Sequence, residues 1–154
     1  MKKMLLIDHN RCVGCRNCEM ICSLVHEGIC SPSLSRIRVA RDERAGWNVP
    51  ISCSMCEKPM CVMICPVGAA QRNEETGLVL IDENRCIGCL QCVQACPFGH
   101  VNYHPNRGVA FKCDRCGGDP QCAKFCWTGA ITFEPVDLEL EKRREETARR
   151  AVSE

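Results

Sequence analysis

The sequence predicts an α+β chain of short strands and helical turns, built as a tandem of two related halves. Three observations carry that expectation. Seventeen of the 154 residues are cysteine while aromatics make up only 5%, so something other than ring bulk must fill the interior. Sixteen of those cysteines fall into four groups of four: Cys12, Cys15, Cys18, Cys22; then Cys53, Cys56, Cys61, Cys65; then Cys86, Cys89, Cys92, Cys96; then Cys113, Cys116, Cys122, Cys126. The chain also repeats itself. Placing Cys12 over Cys86 aligns Leu5 to His26 with Val79 to His100, and eleven of those 22 positions are identical, including Leu-Ile-Asp-x-Asn-Arg-Cys-x-Gly-Cys.

The elements follow in chain order. Leu5–Ile7 and Leu78–Ile81 are short apolar runs before the polar turns Asp8–Arg11 and Asp82–Arg85, and read as strands. Residues after the third cysteine of groups one and three, Glu19–His26 and Val93–Pro97, read as helical turns. Ile37–Ala40 and Val49–Ile51 read as a hairpin over the turn at Ala45-Gly46, and Val101–Tyr103, Val109–Phe111 and Ile131–Phe133 as further short strands. Groups two and four align after a one-residue gap, with Gly68-Ala69 matching Gly129-Ala130, which sets the halves at 1–75 and 76–135. Residues 136–154 form a charged C-terminal helix or tail, with Glu139/Arg143 and Lys142/Glu146 four apart and Asp137 as its N-cap. A solvated end is its plain reading, and a docking helix for a partner subunit the sharper one.

Composition narrows the function classes. A formal charge of +1 gives no pointer to nucleic acid or to an anionic membrane surface. The apolar run at the start of the chain stops at Asp8, too short for a signal-peptide core, and there is no twin-arginine leader. No apolar stretch approaches the ~20 residues of a transmembrane helix. The expected location is the cytoplasm, where reduced, clustered thiols bind metal rather than one another.

Groups one and three have the spacing C-x2-C-x2-C-x3-C, the bacterial ferredoxin run. Three thiolates at three-residue steps lie on a loop that can wrap one face of a cubane. The fourth opens a helical turn and points away, and in two-cluster ferredoxins it ligates the other cluster. Gly14 and Gly88 stand where backbone must approach inorganic sulfide, and close amides there donate hydrogen bonds to cluster sulfur. Groups two and four place four and five residues before the third cysteine. Cys65-Pro66 and Cys96-Pro97 keep the ferredoxin proline; Cys22-Ser23 and Cys126-Trp127 do not. Zinc sites use paired C-x2-C spacings separated by a longer span, and three cysteines at successive three-residue steps suit a zinc tetrahedron poorly. The expectation is therefore tandem bacterial-ferredoxin-like modules, their strands and turns wrapped around four 4Fe–4S clusters that supply much of the folding free energy. Cys30 reads as a small buried hydrophobe.

Sixteen thiolates and four oxidised cores bring the charge of the holo-protein to about −7. Arg11, Lys58, Arg85, Lys112, Arg115 and Lys124 stand beside ligands and should offset that charge. His9, His26, His100 and His104 follow no metal-ligand spacing and read as structural or surface groups. There is no glycine-rich phosphate loop and no flavin or nicotinamide fingerprint, so catalysis belongs to a partner.

Four cysteine groups with irregular second and fourth members resemble the four-cluster ferredoxin-like electron-transfer subunits of molybdenum and tungsten oxidoreductases. Related subunits serve formate dehydrogenases, hydrogenases and carbon monoxide dehydrogenase. The resemblance covers about residues 4–135 and includes Cys22-Ser-Leu-Val-His-Glu-Gly and Pro32-Ser-Leu-Ser-Arg-Ile after the first group. The compact fourth group, Cys113-Asp-Arg-Cys-Gly-Gly-Asp-Pro-Gln-Cys, is most similar to the small iron–sulfur subunits accompanying tungsten aldehyde oxidoreductases and the related benzoyl-CoA reductase. The longer fourth groups of dimethyl-sulfoxide-reductase-type subunits fit less well. Trp127, where relatives often have proline, departs from the pattern and should alter the local turn.

Spacing alone leaves the pairing of groups open, adjacent pairing included. The resemblance implies that group one exchanges its fourth ligand with group four, and group two with group three. It then implies four ligand sets: Cys12, Cys15, Cys18 with Cys126; Cys113, Cys116, Cys122 with Cys22; Cys53, Cys56, Cys61 with Cys96; and Cys86, Cys89, Cys92 with Cys65. The implied role is a non-catalytic wiring subunit. Its expected partner is a tungsten- or molybdenum-cofactor subunit transforming an aldehyde or acyl thioester, with a flavin- or NAD-linked subunit or a ferredoxin beyond it. A hydrogenase or formate dehydrogenase partner, and a free-standing polyferredoxin carrier, are the alternatives.

Overall fold

The computed structural model of the chain describes residues 3–135. The charged run at 136–154 lies outside the described residues. Among the described residues are twelve strands and α-helices, all short, besides three 3-10 turns: β1 (Lys3–Ile7), α1 (Asn17–Glu27), β2 (Ile37–Asp42), β3 (Trp47–Ser52), α2 (Met60–Met63), β4 (Ala70–Arg72), β5 (Val79–Ile81), α3 (Gln91–Ala95), β6 (Asn102–His104), β7 (Val109–Phe111), α4 (Gln121–Lys124) and β8 (Ile131–Pro135). This is the α+β architecture that the sequence predicts.

The strands form four two-stranded antiparallel ladders. β2 and β3 make the expected hairpin, Ile37 opposite Ser52 and Asp42 opposite Trp47. Gly46 closes it in the left-handed region, its N–H donating to the Asp42 carbonyl. β6 and β7 form a second local hairpin. The other two ladders are nested. β1 pairs with β8, at opposite ends of the described chain, and β4 pairs with β5 between groups two and three. Each of these joins one sequence half to the other. Helix packing follows the same order, α1 against α4 and α2 against α3.

Helix positions differ from the sequence expectation for a physical reason. The third cysteines of groups one and three do not precede the helices; Cys18 lies in α1 and Cys92 in α3. Both helices start from a left-handed residue, Arg16 and Leu90, which turns the chain sharply after the second cysteine. α1 then runs eleven residues to an N–H of Gly28 donating to Leu24, whereas α3 stops after five. Pro97 explains the difference, because the residue before a proline is pushed out of the helical region, and Cys96 is extended. α2 and α4 were not legible from the cysteine spacing. Pro59 and Pro120 stand directly before them, with φ already near the helical value.

The core is thin and sulfur-rich. One buried cluster gathers Cys61, Cys92 and Cys113 with Val79, Val101 and Ala110; the other gathers Cys18, Cys22 and Cys122 with Ile37, Val39 and Ile131. Trp127, Phe98 and Phe125 are exposed, and Phe111 is the aromatic that is fully buried among the described residues. Cys30 is exposed, which corrects its reading as a buried hydrophobe.

Candidate iron–sulfur centres

The nested ladders bring distant cysteines together. Cys53, Cys56, Cys61 and Cys96 line one cavity, and Cys65, Cys86, Cys89 and Cys92 line another. In each, three thiols come from one group and the fourth from its partner. On the outer side burial pushes the Cys122 thiol up, and Cys113, Cys22 and Cys116 are the near thiols that add to it. Cys12 and Cys15 act on Cys18, and Cys12 and Cys126 pack against the core that holds Cys18.

Arginines at equivalent repeat positions reinforce the nesting. Arg11 lies over Gly129, and the Arg85 Nη2 donates to the Val67 carbonyl at 3.0 Å, beside Gly68. Each guanidinium from the first cysteine loop of one group thus covers the turn behind the fourth cysteine of its partner. That turn is alike in groups two and four: Gly68 N–H donates to the Cys65 carbonyl and Gly129 N–H to the Cys126 carbonyl. Trp127 leaves it undisturbed and points outward, 71% exposed.

Backbone amides aim at the sulfurs. Each fourth cysteine accepts one: Cys22 from Arg36 at 3.2 Å, Cys65 from Ala69 at 3.2 Å, Cys96 from His100 at 3.3 Å and Cys126 from Ile131 at 3.4 Å. Cys86 accepts from Ala110 and Cys113 from Arg115, both at 3.4 Å. Burial would push the Cys65 thiol up, but the amides of Ala70, Val67, Ala69 and Gly68 together hold it below its ordinary value. Cys126 is likewise held down against burial, by the Thr128 hydroxyl and nearby amides. The deeper thiols go the other way. Burial, then the Glu19 carboxylate, pushes Cys18 up to about 12; burial pushes Cys113 up to about 12 and Cys92 up to about 11.

Metal cations bound among such thiols would take the place of their protons, which leave to solvent. Four thiols around each cavity, amides directed at sulfur and apolar walls form a donor set that fits a 4Fe–4S cluster.

Of the basic residues expected beside ligands, Lys112 and Arg115 are buried. Lys58 is exposed, and Lys124 pairs with Asp119 on the surface. Sequence spacing missed His26, whose Nε2 lies 3.6 Å from the Cys116 Sγ and 3.4 Å from Asp114. His104 is a structural group, as expected, paired with Glu27 at 3.3 Å. Among the described residues no helix is long and apolar enough to cross a membrane.

The comparisons with known proteins agree with this chemistry. A 4Fe-4S dicluster domain matches residues 45–136, and a 4Fe-4S binding domain matches residues 9–24. The chain is 44% identical over 122 residues to the polyferredoxin-like subunit of the aliphatic sulfonate oxidoreductase of Pyrococcus furiosus, covering 79% of this chain and 70% of that protein. It is 35% identical over 162 residues to the B subunit of the anaerobic dimethyl sulfoxide reductase of Escherichia coli, covering 92% and 77% respectively. Among solved structures, a subunit of the active-site complex BamBC of benzoyl-coenzyme A reductase matches at a TM-score of 0.50 with 30% identity, over 96% of this chain and 89% of that one. The chain belongs to the 4Fe–4S ferredoxin-like electron-transfer subunits of molybdenum- and tungsten-type oxidoreductases.

Proposed function

We propose that the chain is the non-catalytic wiring subunit of a cytoplasmic complex and holds four 4Fe–4S clusters. The ligand sets are Cys12, Cys15, Cys18, Cys126; Cys22, Cys113, Cys116, Cys122; Cys53, Cys56, Cys61, Cys96; and Cys65, Cys86, Cys89, Cys92. The observation that carries the reading is that two cavities are each lined by four cysteines, three from one group and one from its partner. When bound, such clusters supply one-electron redox chemistry. The protein's own part is to hold them, keep water from them, and direct amides at their sulfurs. Cys15 and Cys89, second in their groups, are exposed, so electrons have short routes in and out at both ends. The division at 1–75 and 76–135 stands with this reading as the trace of an internal duplication.

The proposed partner is a catalytic subunit with a tungsten or molybdenum cofactor, acting on an aldehyde or acyl thioester. Likeness to the BamBC subunit and the compact fourth group support that choice. A partner of the dimethyl sulfoxide or thiosulfate reductase kind is the second reading, supported by 35% and 38% identity to subunits of those enzymes. Iron and acid-labile sulfide analysis tests the cluster count: about sixteen of each per chain is expected, and zinc without sulfide would overturn the reading. Purifying the native complex and assaying tungsten and molybdenum tests the partner. A lone soluble monomer would instead indicate a diffusing carrier.

A further inference from the structure

Lys112 is only 3% exposed, and it follows β7 directly. Its Nζ donates to the Cys113 carbonyl at 3.0 Å and to the Val79 carbonyl, and lies 3.7 Å from the Met55 sulfur. Among the described residues no carboxylate pairs with it. A buried ammonium without a counter-charge is costly, and folded chains pair such groups. Two carbonyls solvate it but do not neutralise it.

The missing negative charge has one place to be. Lys112 lines the cavity of Cys53, Cys56, Cys61 and Cys96. Burial pushes the Cys61 thiol up, and the charge of Lys112 is the first influence opposing it. His100 lines the same cavity, its backbone N–H donating to the Cys96 sulfur at 3.3 Å. The neighbouring cavity of Cys65, Cys86, Cys89 and Cys92 is different. Val67, Ala69, Ala70, Ile81, Leu90 and Ala110 line it, with no charged side chain among its lining residues. The two inner sites thus share a fold and a ligand type and differ by one buried charge.

We propose that Lys112 is the built-in counter-ion of the cluster held by Cys53, Cys56, Cys61 and Cys96, and so makes that cluster the first of the inner two to accept an electron. The inference rests on the cluster reading above. Adding one electron makes a four-thiolate cluster more negative by one charge. A fixed ammonium in a poorly screened interior favours the reduced form, and apolar walls do not. Lys112 also touches Cys113, on whose thiol Cys53 acts across the junction between inner and outer sites. An electron crossing that junction therefore meets its most favourable inner stop beside Lys112.

The test is a dithionite titration followed by low-temperature electron paramagnetic resonance on the intact cluster-loaded chain. Cys56→Ser and Cys89→Ser label the two inner clusters in turn. With Lys112 present, the signal altered by Cys56→Ser should be reduced at the higher potential. Lys112→Met should lower that potential by at least ~tenfold in the reduction equilibrium, about 59 mV for one electron, and leave the signal altered by Cys89→Ser nearly in place. Lys112→Arg should restore most of it. Full iron and sulfide loading with an unmoved potential would overturn the role of Lys112 while leaving the cluster reading intact. If Lys112→Met fails to load, the labelled titrations alone decide: first reduction at the Cys89-labelled cluster overturns the proposal. Absence of iron and sulfide from the unaltered protein would instead defeat the cluster reading.

Discussion

Gly14 and Gly88 occupy equivalent places in the repeat, yet an added methyl meets different matter at each. Both have positive φ, where an L side chain is strained. At Gly14 the methyl would overlap the side chain of Asn48, which can swing aside; at Gly88 it would overlap the backbone carbonyl of Gly108, which cannot. Gly88→Ala should therefore cost the cluster proposed for Cys65, Cys86, Cys89 and Cys92, read, if four clusters are bound, as loss of about a quarter of the iron, while Gly14→Ala is tolerated better. Glu19 shows what the sequence hid at this scale. It is 1% exposed and accepts from the Val39 N–H at 2.8 Å and the Arg16 Nε at 2.7 Å. Glu19→Ala strands a buried amide and should lower stability by about 1–3 kcal/mol in denaturant titration of the loaded protein, with Glu19→Gln losing less. Each cysteine was legible because ligand spacing is a local property. The contacts of Glu19 and His26 were not, because their partners lie on other elements, as Val39 lies twenty residues beyond Glu19; Lys112 was readable as a cation beside a cysteine, but its burial was not.

At the scale of elements, the residue after the fourth cysteine sets helix length in groups one and three. Ser23 continues α1, its hydroxyl donating to the Glu19 and Met20 carbonyls and accepting the Ser31 N–H at 2.9 Å. Pro97, its repeat equivalent, ends α3. Ser23→Pro should break α1 at that point and cost roughly 3 kcal/mol or more, measured by denaturation and by faster iron release from the outer sites. The first strands, the hairpin and the polar turns were readable because alternation and Asx turns are written in adjacent residues; Asp8 and Asp82 each accept the N–H two residues on, at 3.0 Å. The pairing of β1 with β8 was not readable, since no pattern in either strand names a partner more than a hundred residues away.

For the molecule as a whole, a charged knot joins the parts that the ladders leave separate. Arg36 meets Asp114 at 2.9 Å and approaches Glu27 and Glu83 at 3.9 and 3.8 Å, while Arg107 bridges the same two glutamates at 2.7 and 2.8 Å. It ties α1 to the loops of groups three and four. Arg36→Ala removes the arginine partner of Asp114 and loosens the part-buried Glu27 and Glu83, and should cost about 1–3 kcal/mol, seen as a lower denaturant midpoint. Stripping iron with a chelator should abolish the far-ultraviolet dichroism of the fold, because helices of four and five residues cannot persist alone.

The nesting of the β1–β8 ladder around the β4–β5 ladder also fixes an order of birth. A chain leaving the ribosome presents Cys53 through Cys96 as one uninterrupted stretch, so on the proposed ligand sets the inner sites can be filled as soon as β6 and β7 have emerged. On the proposed ligand sets the outer sites wait for group four: Cys22 is matched once Cys122 has emerged, and Cys12, Cys15 and Cys18 only with Cys126. The first cysteines made are among the last to be completed, and that interval is when the growing chain is most open to oxygen and to the wrong metal.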